Sequence, residues 1–188
     1  MTAEERTALH EAGHAVAATF LHHAAKVRRV TITPDRASGS LGHVRGWVRP
    51  SVWRAVEAGD TSLKSLLHLT EEVLVLLAGE IAERRAGARL VWGAGTDREN
   101  AADIANALSG DPRQANAFLR WLIIRAENLV ALRWVEVQAV AAALLEHKTL
   151  TRDQIHAIIF PRPVGRTRRV RGPRSTQAHV RRAPRAGA

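Results

Sequence analysis

The stretch His10-Glu11-Ala12-Gly13-His14 is the part of this sequence in which residue type and spacing together predict a chemical function. Two histidines four residues apart on a helix lie one turn apart on the same face, so both imidazoles can reach one metal ion. This is the H-E-x-x-H zinc-binding pattern. Glu11 follows the first histidine, where a carboxylate can take a proton from water without being a ligand. The pattern therefore predicts Glu11 as a general base.

The residues around this pattern favour a helix, which the pattern requires. Thr2 and Glu5 form a T-x-x-E capping box, and we expect the helix to run from Ala3 to Ala25. Gly13 inside it costs about 1 kcal/mol of helix propensity, which indicates a close neighbour. Chance is the alternative, in which the histidines form only a polar patch. The apolar face of the helix consists of Leu9, Val16, Ala17, Phe20 and Leu21.

Composition limits the class of protein. The chain has 188 residues, of which 46% are apolar, enough for one domain with a sizeable core. It has no cysteine, so His, Asp or Glu must hold any metal. No run of eighteen uncharged apolar residues occurs, which predicts no membrane span. The N-terminus is acidic where a signal peptide would be basic, so we expect a cytoplasmic location.

The positive charge is concentrated in the last 28 residues. Residues 161–188 contain nine arginines and no acid, which leaves a net charge of +1 on residues 1–160 out of +10 in total. Residues 161–188 are rich in proline and glycine and have no aliphatic side chain larger than valine, which predicts disorder. We therefore expect one folded domain over residues 1–160 and a disordered basic tail over residues 161–188.

Periodicity and turn residues predict a mainly α (α+β) fold with a small sheet or hairpin. The hairpin joins two strands through a turn at residues 35–40, and the helix from Thr61 to Ala86 is expected to form the core. The predicted elements are strands at 26–33 and 41–48, an irregular segment or short helix at 50–60, and helices at 61–86, 96–108, 111–147 and 151–160, the last capped by Thr151.

A catalytic zinc normally has three protein ligands and one open position, so His10 and His14 need a partner. The elongated motif H-E-x-x-H-x-x-G-x-x-H requires glycine at position 17 and histidine at position 20, where this chain has Ala17 and Phe20. On a continuing helix, His22 and the next histidine lie roughly 12 Å beyond His14, too far to share the ion. The third ligand must therefore come from elsewhere in the chain.

Five blocks, in the same order, resemble the zinc peptidase domain of the FtsH-type membrane-anchored AAA+ proteases. The resemblance covers residues 5 to 158, and it departs from the family's R-x-A-E-E pattern, which reads Glu80-Ile81-Ala82-Glu83-Arg84 here. The blocks are Thr7–Ala15, Lys26–Val27 with Val30–Pro34, Leu41–Gly42, Leu76–Glu83, and Gly93–Asp97 followed by Ala101–Ala105.

The resemblance implies a zinc metalloendopeptidase that cleaves unfolded or flexible polypeptides. It implies that Asp97 is the third ligand of Zn²⁺ beside His10 and His14, and that Glu83 lies beside the zinc histidines. For Asp97 the alternative is a helix N-cap, in which case Glu99 and Asp103 become the candidate ligands. For Glu83 the alternative is a solvated or salt-bridged helix acid.

The strand Val30, Thr31, Ile32 and Thr33 is the candidate edge for an extended peptide, which would bind by strand addition. The alternative is an ordinary internal strand.

None of the three lysines of the chain follows a glycine, so the P-loop of the family's ATPase is not present in these 188 residues. The expected partners are a polypeptide substrate and either a separate AAA+ ATPase or further copies of this chain. The alternative function is a degenerate peptidase fold that the basic tail attaches to nucleic acid or another anionic surface.

Overall fold

The computed structural model describes residues 1–22, 27–34, 43–45, 50–60, 62–88 and 94–161. Within these ranges the fold is mainly helical with one small sheet, as predicted. Its elements in chain order are α1 (Ala3–Phe20), β1 (Arg29–Thr31), β2 (His43–Arg45), α2 (Pro50–Glu57), α3 (Leu63–Arg85), α4 (Ala94–Ser109), α5 (Pro112–Leu132), α6 (Trp134–His147), β3 (Thr149–Thr151) and α7 (Arg152–Ile159).

Helices α1 and α3 pack against each other at the centre of the fold. The middle of α3 is buried from Glu72 to Glu83, which confirms the prediction that this helix forms the core. At Gly13 the two helices approach so closely that a Cβ would lie 2.5 Å from the carbonyl oxygen of Ala78 and 2.9 Å from Cβ of Ala82. The glycine inside the histidine motif is therefore required by helix packing, because any side chain would push α1 away from α3.

The capping box at the start of α1 is confirmed. The Thr2 hydroxyl accepts from the Glu5 amide at 3.1 Å, and the Glu5 carboxylate accepts from the Thr2 amide at 2.6 Å. The predicted end at Ala25 is wrong, because α1 ends at Phe20 and Leu21 has an extended backbone with φ −93° and ψ 129°. The Leu21 amide donates to the Ala17 carbonyl oxygen at 3.1 Å, which closes the last turn of the helix.

The sheet has three antiparallel strands in the order β2-β1-β3. β1 pairs with β2 on one side, with Val30 opposite Val44, and with β3 on the other, with Val30 opposite Leu150. The Ile32 amide also donates to the Lys148 carbonyl oxygen at 2.9 Å. The prediction that Val30, Thr31, Ile32 and Thr33 form a peptide-binding edge is therefore wrong, since backbone groups on both sides of β1 are already paired.

Strand β3 was not predicted because it is a three-residue segment between the end of α6 and Thr151, the N-cap of α7. That N-cap is confirmed, since the Thr151 side chain accepts from the Gln154 amide. The hairpin turn at residues 35–40 and the tail from residue 162 onward lie outside the described residues.

The helical tract predicted over residues 111–147 consists of two helices, α5 and α6, which meet at Arg133 with a bend of 73°. In the described part of the chain no single helix has the length and apolar character needed to cross a membrane. The bent pair α5 and α6 meets those criteria jointly, on length and composition alone.

Candidate metal centre

His10 and His14 lie on the face of α1 that packs against α3, and both are buried. Their spacing places one imidazole a turn above the other, with ring centroids 4.5 Å apart and ring planes nearly perpendicular. The two Nε2 atoms are 2.9 Å apart. The helix geometry predicted from the sequence therefore brings both nitrogens to one point.

The other nitrogen of each ring is held by α3. His14 Nδ1 lies 2.7 Å from the carbonyl oxygen of Val75, to which it must donate, and His10 Nδ1 lies 2.6 Å from Oε1 of Glu83. A ring that donates through Nδ1 can present a lone pair at Nε2. Helix α3 thus aims both Nε2 atoms at the same point, and Glu83 lies beside the histidines as the family resemblance implied.

The third group comes from α4. Asp97 Oδ2 is 3.1 Å from Nε2 of His10 and 3.1 Å from Nε2 of His14. Because α4 begins at Ala94, Asp97 lies within its first turn and is not its N-cap. The adjacent Arg98 donates to Glu80 of α3 at 3.0 Å, which ties the start of α4 to the core.

The three atoms His10 Nε2, His14 Nε2 and Asp97 Oδ2 fit a zinc ion. Zn–N and Zn–O bonds of about 2.0–2.1 Å in a tetrahedron place ligand atoms roughly 3.3 Å apart, and the distances here are 2.9 Å, 3.1 Å and 3.1 Å. No other trio of His, Asp or Glu converges in this way among the described residues. Glu99 and Asp103, the alternative ligands, are exposed and do not join the cluster.

Glu11 is buried beside the two histidines, with an exposed fraction of 6%. Its Oε2 atom has no hydrogen-bond partner among the described residues. A buried acceptor without a partner costs about 1–3 kcal/mol, so such an atom generally has a role beyond stability. An unpaired carboxylate oxygen at this position is suited to accept a proton from water.

Burial and neighbouring charges shift the proton affinities of this cluster. Burial opposes the charge on His10, but hydrogen bonds to Asp97 and Glu83 outweigh it and raise the pKa of His10 to about 10. Burial also opposes the charge on Asp97, yet the hydrogen bonds from His10 and His14 lower the pKa of its carboxyl group. Desolvation raises the pKa of Glu11, and the nearby histidines oppose this shift only in part. The carboxylates around these rings thus favour a positive charge at this point, which a bound metal cation would supply.

Sequence reasoning missed the role of Gly79, where a Cβ would clash with both imidazoles, and the Val75 carbonyl group, which accepts a hydrogen bond from His14. Residue types do not show which backbone carbonyl group will accept a hydrogen bond. A glycine such as Gly79 can be recognised, because glycine inside a strongly apolar helix costs about 1 kcal/mol and indicates a close neighbour. The reasoning applied to Gly13 would have identified it.

Known proteins that are similar to this chain include zinc metalloproteases. The model of a family described as peptidase family M41 matches residues 1–109. The chain is 28% identical to the ATP-dependent zinc metalloprotease FtsH of Cupriavidus metallidurans, over 93% of this chain and 31% of that protein. It is 39% identical to the protein of the same name from Pseudomonas putida, over 54% of this chain and 15% of that protein. The protein of that name from Thermus thermophilus is 37% identical over 54% of this chain and 14% of its own length. The chain thus spans less than a third of these relatives.

Proposed function

This chain belongs to peptidase family M41, whose cofactor is Zn²⁺, and from that membership we propose that it is a zinc metalloendopeptidase that cleaves unfolded or flexible polypeptides. One observation supports the proposal above all others. Three ligand atoms from α1 and α4 converge within 3.1 Å of one another, next to a buried glutamate with an unpaired oxygen. This combination supplies both a metal site and a base.

In the proposed mechanism His10, His14 and Asp97 would hold the ion. A zinc ion bound there would supply a Lewis acid for the scissile carbonyl group and would lower the pKa of water. Glu83 holds His10 through Nδ1, and the Val75 carbonyl oxygen holds His14, so neither ring can rotate away from the site. The protein thereby keeps the geometry fixed before the substrate arrives.

Glu11 carries the proton transfers. Its Oε2 takes a proton from water as the water oxygen bonds to the carbonyl carbon. When the C–N bond breaks, the same carboxyl group gives that proton to the leaving nitrogen, which departs as an amine. Burial raises the pKa of Glu11, which makes its carboxylate a stronger base than an exposed glutamate.

The second part of the proposal concerns the ATPase that would unfold substrates. The relatives are named ATP-dependent, and this chain matches less than a third of their length. The 188 residues contain no P-loop pattern. We therefore place the ATPase outside these 188 residues, and we propose that this domain acts together with an AAA+ ATPase or as a homo-oligomer. A binding protein with a degenerate site is disfavoured, because such a protein has no need for an intact base beside three converging ligand atoms.

The decisive experiment is zinc-dependent proteolysis. The purified chain is stripped of metal with a chelator, dialysed, and incubated with an unstructured fluorogenic protein before and after addition of Zn²⁺. We expect cleavage to disappear on chelation and to return with Zn²⁺, and we expect no cleavage by the His14→Ala variant. Cleavage that persists in His14→Ala would show that the site does not carry the activity.

A further inference from the structure

Gly79 lies on α3 directly opposite the two imidazoles. A Cβ at this position would lie 2.5 Å from Nε2 and 2.7 Å from Cε1 of His14, and 2.9 Å from Cε1 of His10. These distances are shorter than van der Waals contact allows, and Nε2 is the atom with which His14 faces the other ligand atoms. Any side chain at position 79 would therefore displace the rings themselves.

The backbone around Gly79 supports the same conclusion independently. A helical side chain lies over the turn that precedes its own Cα, so a side chain at position 79 would cover the turn that contains Val75. That turn is where the Val75 carbonyl oxygen accepts the hydrogen bond from Nδ1 of His14 at 2.7 Å. The missing side chain leaves the carbonyl accessible from outside the helix.

Gly13 differs from Gly79 in what it touches. A Cβ at Gly13 would meet Ala78 and Ala82, which are the backbone and side chain of the facing helix. Gly13 is thus a helix-packing glycine, whereas the nearest neighbours of Gly79 are the metal-binding rings. The two glycines predict different responses to the same substitution.

We propose that Gly79 is a positioning residue of the metal site. Its absent side chain opens a gap in the surface of α3, which admits both imidazoles and exposes the Val75 carbonyl group that orients His14. The inference rests on the metal site of the proposed function, and it assigns to α3 a part in metal binding that goes beyond Glu83.

The first test compares the zinc affinities of Gly79→Ala and Gly95→Ala, measured by competition with a chromophoric chelator. Gly95 is a matched control, because it lies in α4 two residues before Asp97 and a Cβ there would meet nothing within 4 Å. We expect Gly79→Ala to lose roughly 10- to 100-fold in zinc affinity, as when groups that orient metal ligands are changed. We expect Gly95→Ala to bind zinc as the native chain does. The Co²⁺-loaded proteins should show an altered visible spectrum for Gly79→Ala alone.

The second test needs no metal. Melting temperatures are measured in chelator for Gly79→Ala and Gly13→Ala, each in the native sequence and in a His10→Ala/His14→Ala background. In the native sequence both substitutions should lower the melting temperature. In the His10→Ala/His14→Ala background, Gly79→Ala should no longer lower the melting temperature, because alanine is the better helix former. Gly13→Ala should still lower the melting temperature in that background.

Native zinc affinity in Gly79→Ala, or an equal loss of melting temperature in both backgrounds, would overturn the proposal. If Gly79→Ala does not fold in the native sequence, folding in the background without the rings supports the proposal, and failure there too makes Gly79 a packing residue and contradicts it. A native chain that bound no zinc would refute the proposed function, while the melting temperatures would still decide the role of Gly79.

Discussion

Glu83 Oε1 lies 2.6 Å from Nδ1 of His10, although 73 residues separate the two side chains in the sequence. Glu83 is 2% exposed, and its second oxygen has no hydrogen-bond partner among the described residues. A carboxylate in this position fixes the orientation of the ring and increases the basicity of the opposite nitrogen. The contact therefore has consequences for metal affinity.

Replacing Glu83 should weaken the metal site without removing a ligand. We expect Glu83→Ala to lower zinc affinity by roughly 10- to 100-fold. Glu83→Gln should lose less, because its amide oxygen can still accept from Nδ1 of His10. Exposed Glu99→Gln is the control and should bind zinc as the native chain does. Native affinity in Glu83→Ala would make the contact incidental.

Glu11→Gln should separate metal binding from catalysis. The amide cannot take a proton from water, so we expect kcat to fall by about 10²- to 10⁴-fold, the usual contribution of a general base. Zinc content and the circular dichroism spectrum should match those of the native chain, because Glu11 is not a ligand. Hydrolysis at the native rate would rule out the proposed role of Glu11.

Asp97→Ala should lower zinc affinity by more than roughly 100-fold, which exceeds the loss expected when an orienting group is changed. Because Asp97 lies inside the first turn of α4 and not at its N-cap, its removal should cost the helix little. Asp103→Asn, on the same helix but exposed, is the matched control. Should the two variants bind zinc equally well, the third ligand must be sought elsewhere.

Glu72 gives the fold a pH dependence of its own. It is 8% exposed, and burial raises the pKa of its carboxyl group to about 7. The folded state therefore holds this proton at pH values where the unfolded chain has released it, so stability is highest below the unfolded pKa and falls as pH rises through about 7. The loss is on the order of 2 kcal/mol, given about 1.4 kcal/mol per pKa unit and some solvent screening.

Glu72→Gln should remove this loss, because the amide stays neutral at every pH. Urea unfolding in the presence of a chelator, at about pH 5 and about pH 8.5, measures the free energy of unfolding of the variant and of the native chain. The contributions of other titrating groups cancel in the difference between the two proteins. We expect the variant to gain clearly more stability relative to the native chain at the higher pH than at the lower. A difference that is the same at both pH values would contradict the raised pKa.

ATP should not affect cleavage by these 188 residues alone. Without a P-loop they cannot couple nucleotide hydrolysis to unfolding, and a peptide must be extended to present its carbonyl group to a recessed metal. We expect an unfolded casein-like substrate to be degraded at the same rate with and without ATP, and a stably folded, tagged domain to remain intact. Acceleration by ATP alone would reveal a nucleotide site within this chain.

The parts of the site that depend on local geometry follow from the sequence alone. His10 and His14 face the same way because four residues make about one helical turn, and the capping box at Thr2 fixes where that helix begins. The apolar residues of α3 recur with the period of a helix, and this pattern identified α3 as the core helix. The roles of Asp97 and Glu83 were predicted from resemblance to a known family, because no rule of local geometry links either residue to His10.

How these residues come together in space depends on the packing of the whole fold. Distances between residues 73 or 87 positions apart depend on how α1, α3 and α4 pack, and packing is set by the whole core and not by any local pattern. In the folded chain α1 ends at Phe20 and not at Ala25, and β1 lies between two strands, which is the internal position that the sequence had left as the alternative. The role of Gly79 likewise depends on the packing of α1 against α3, because this packing places the imidazole rings where a side chain at position 79 would lie.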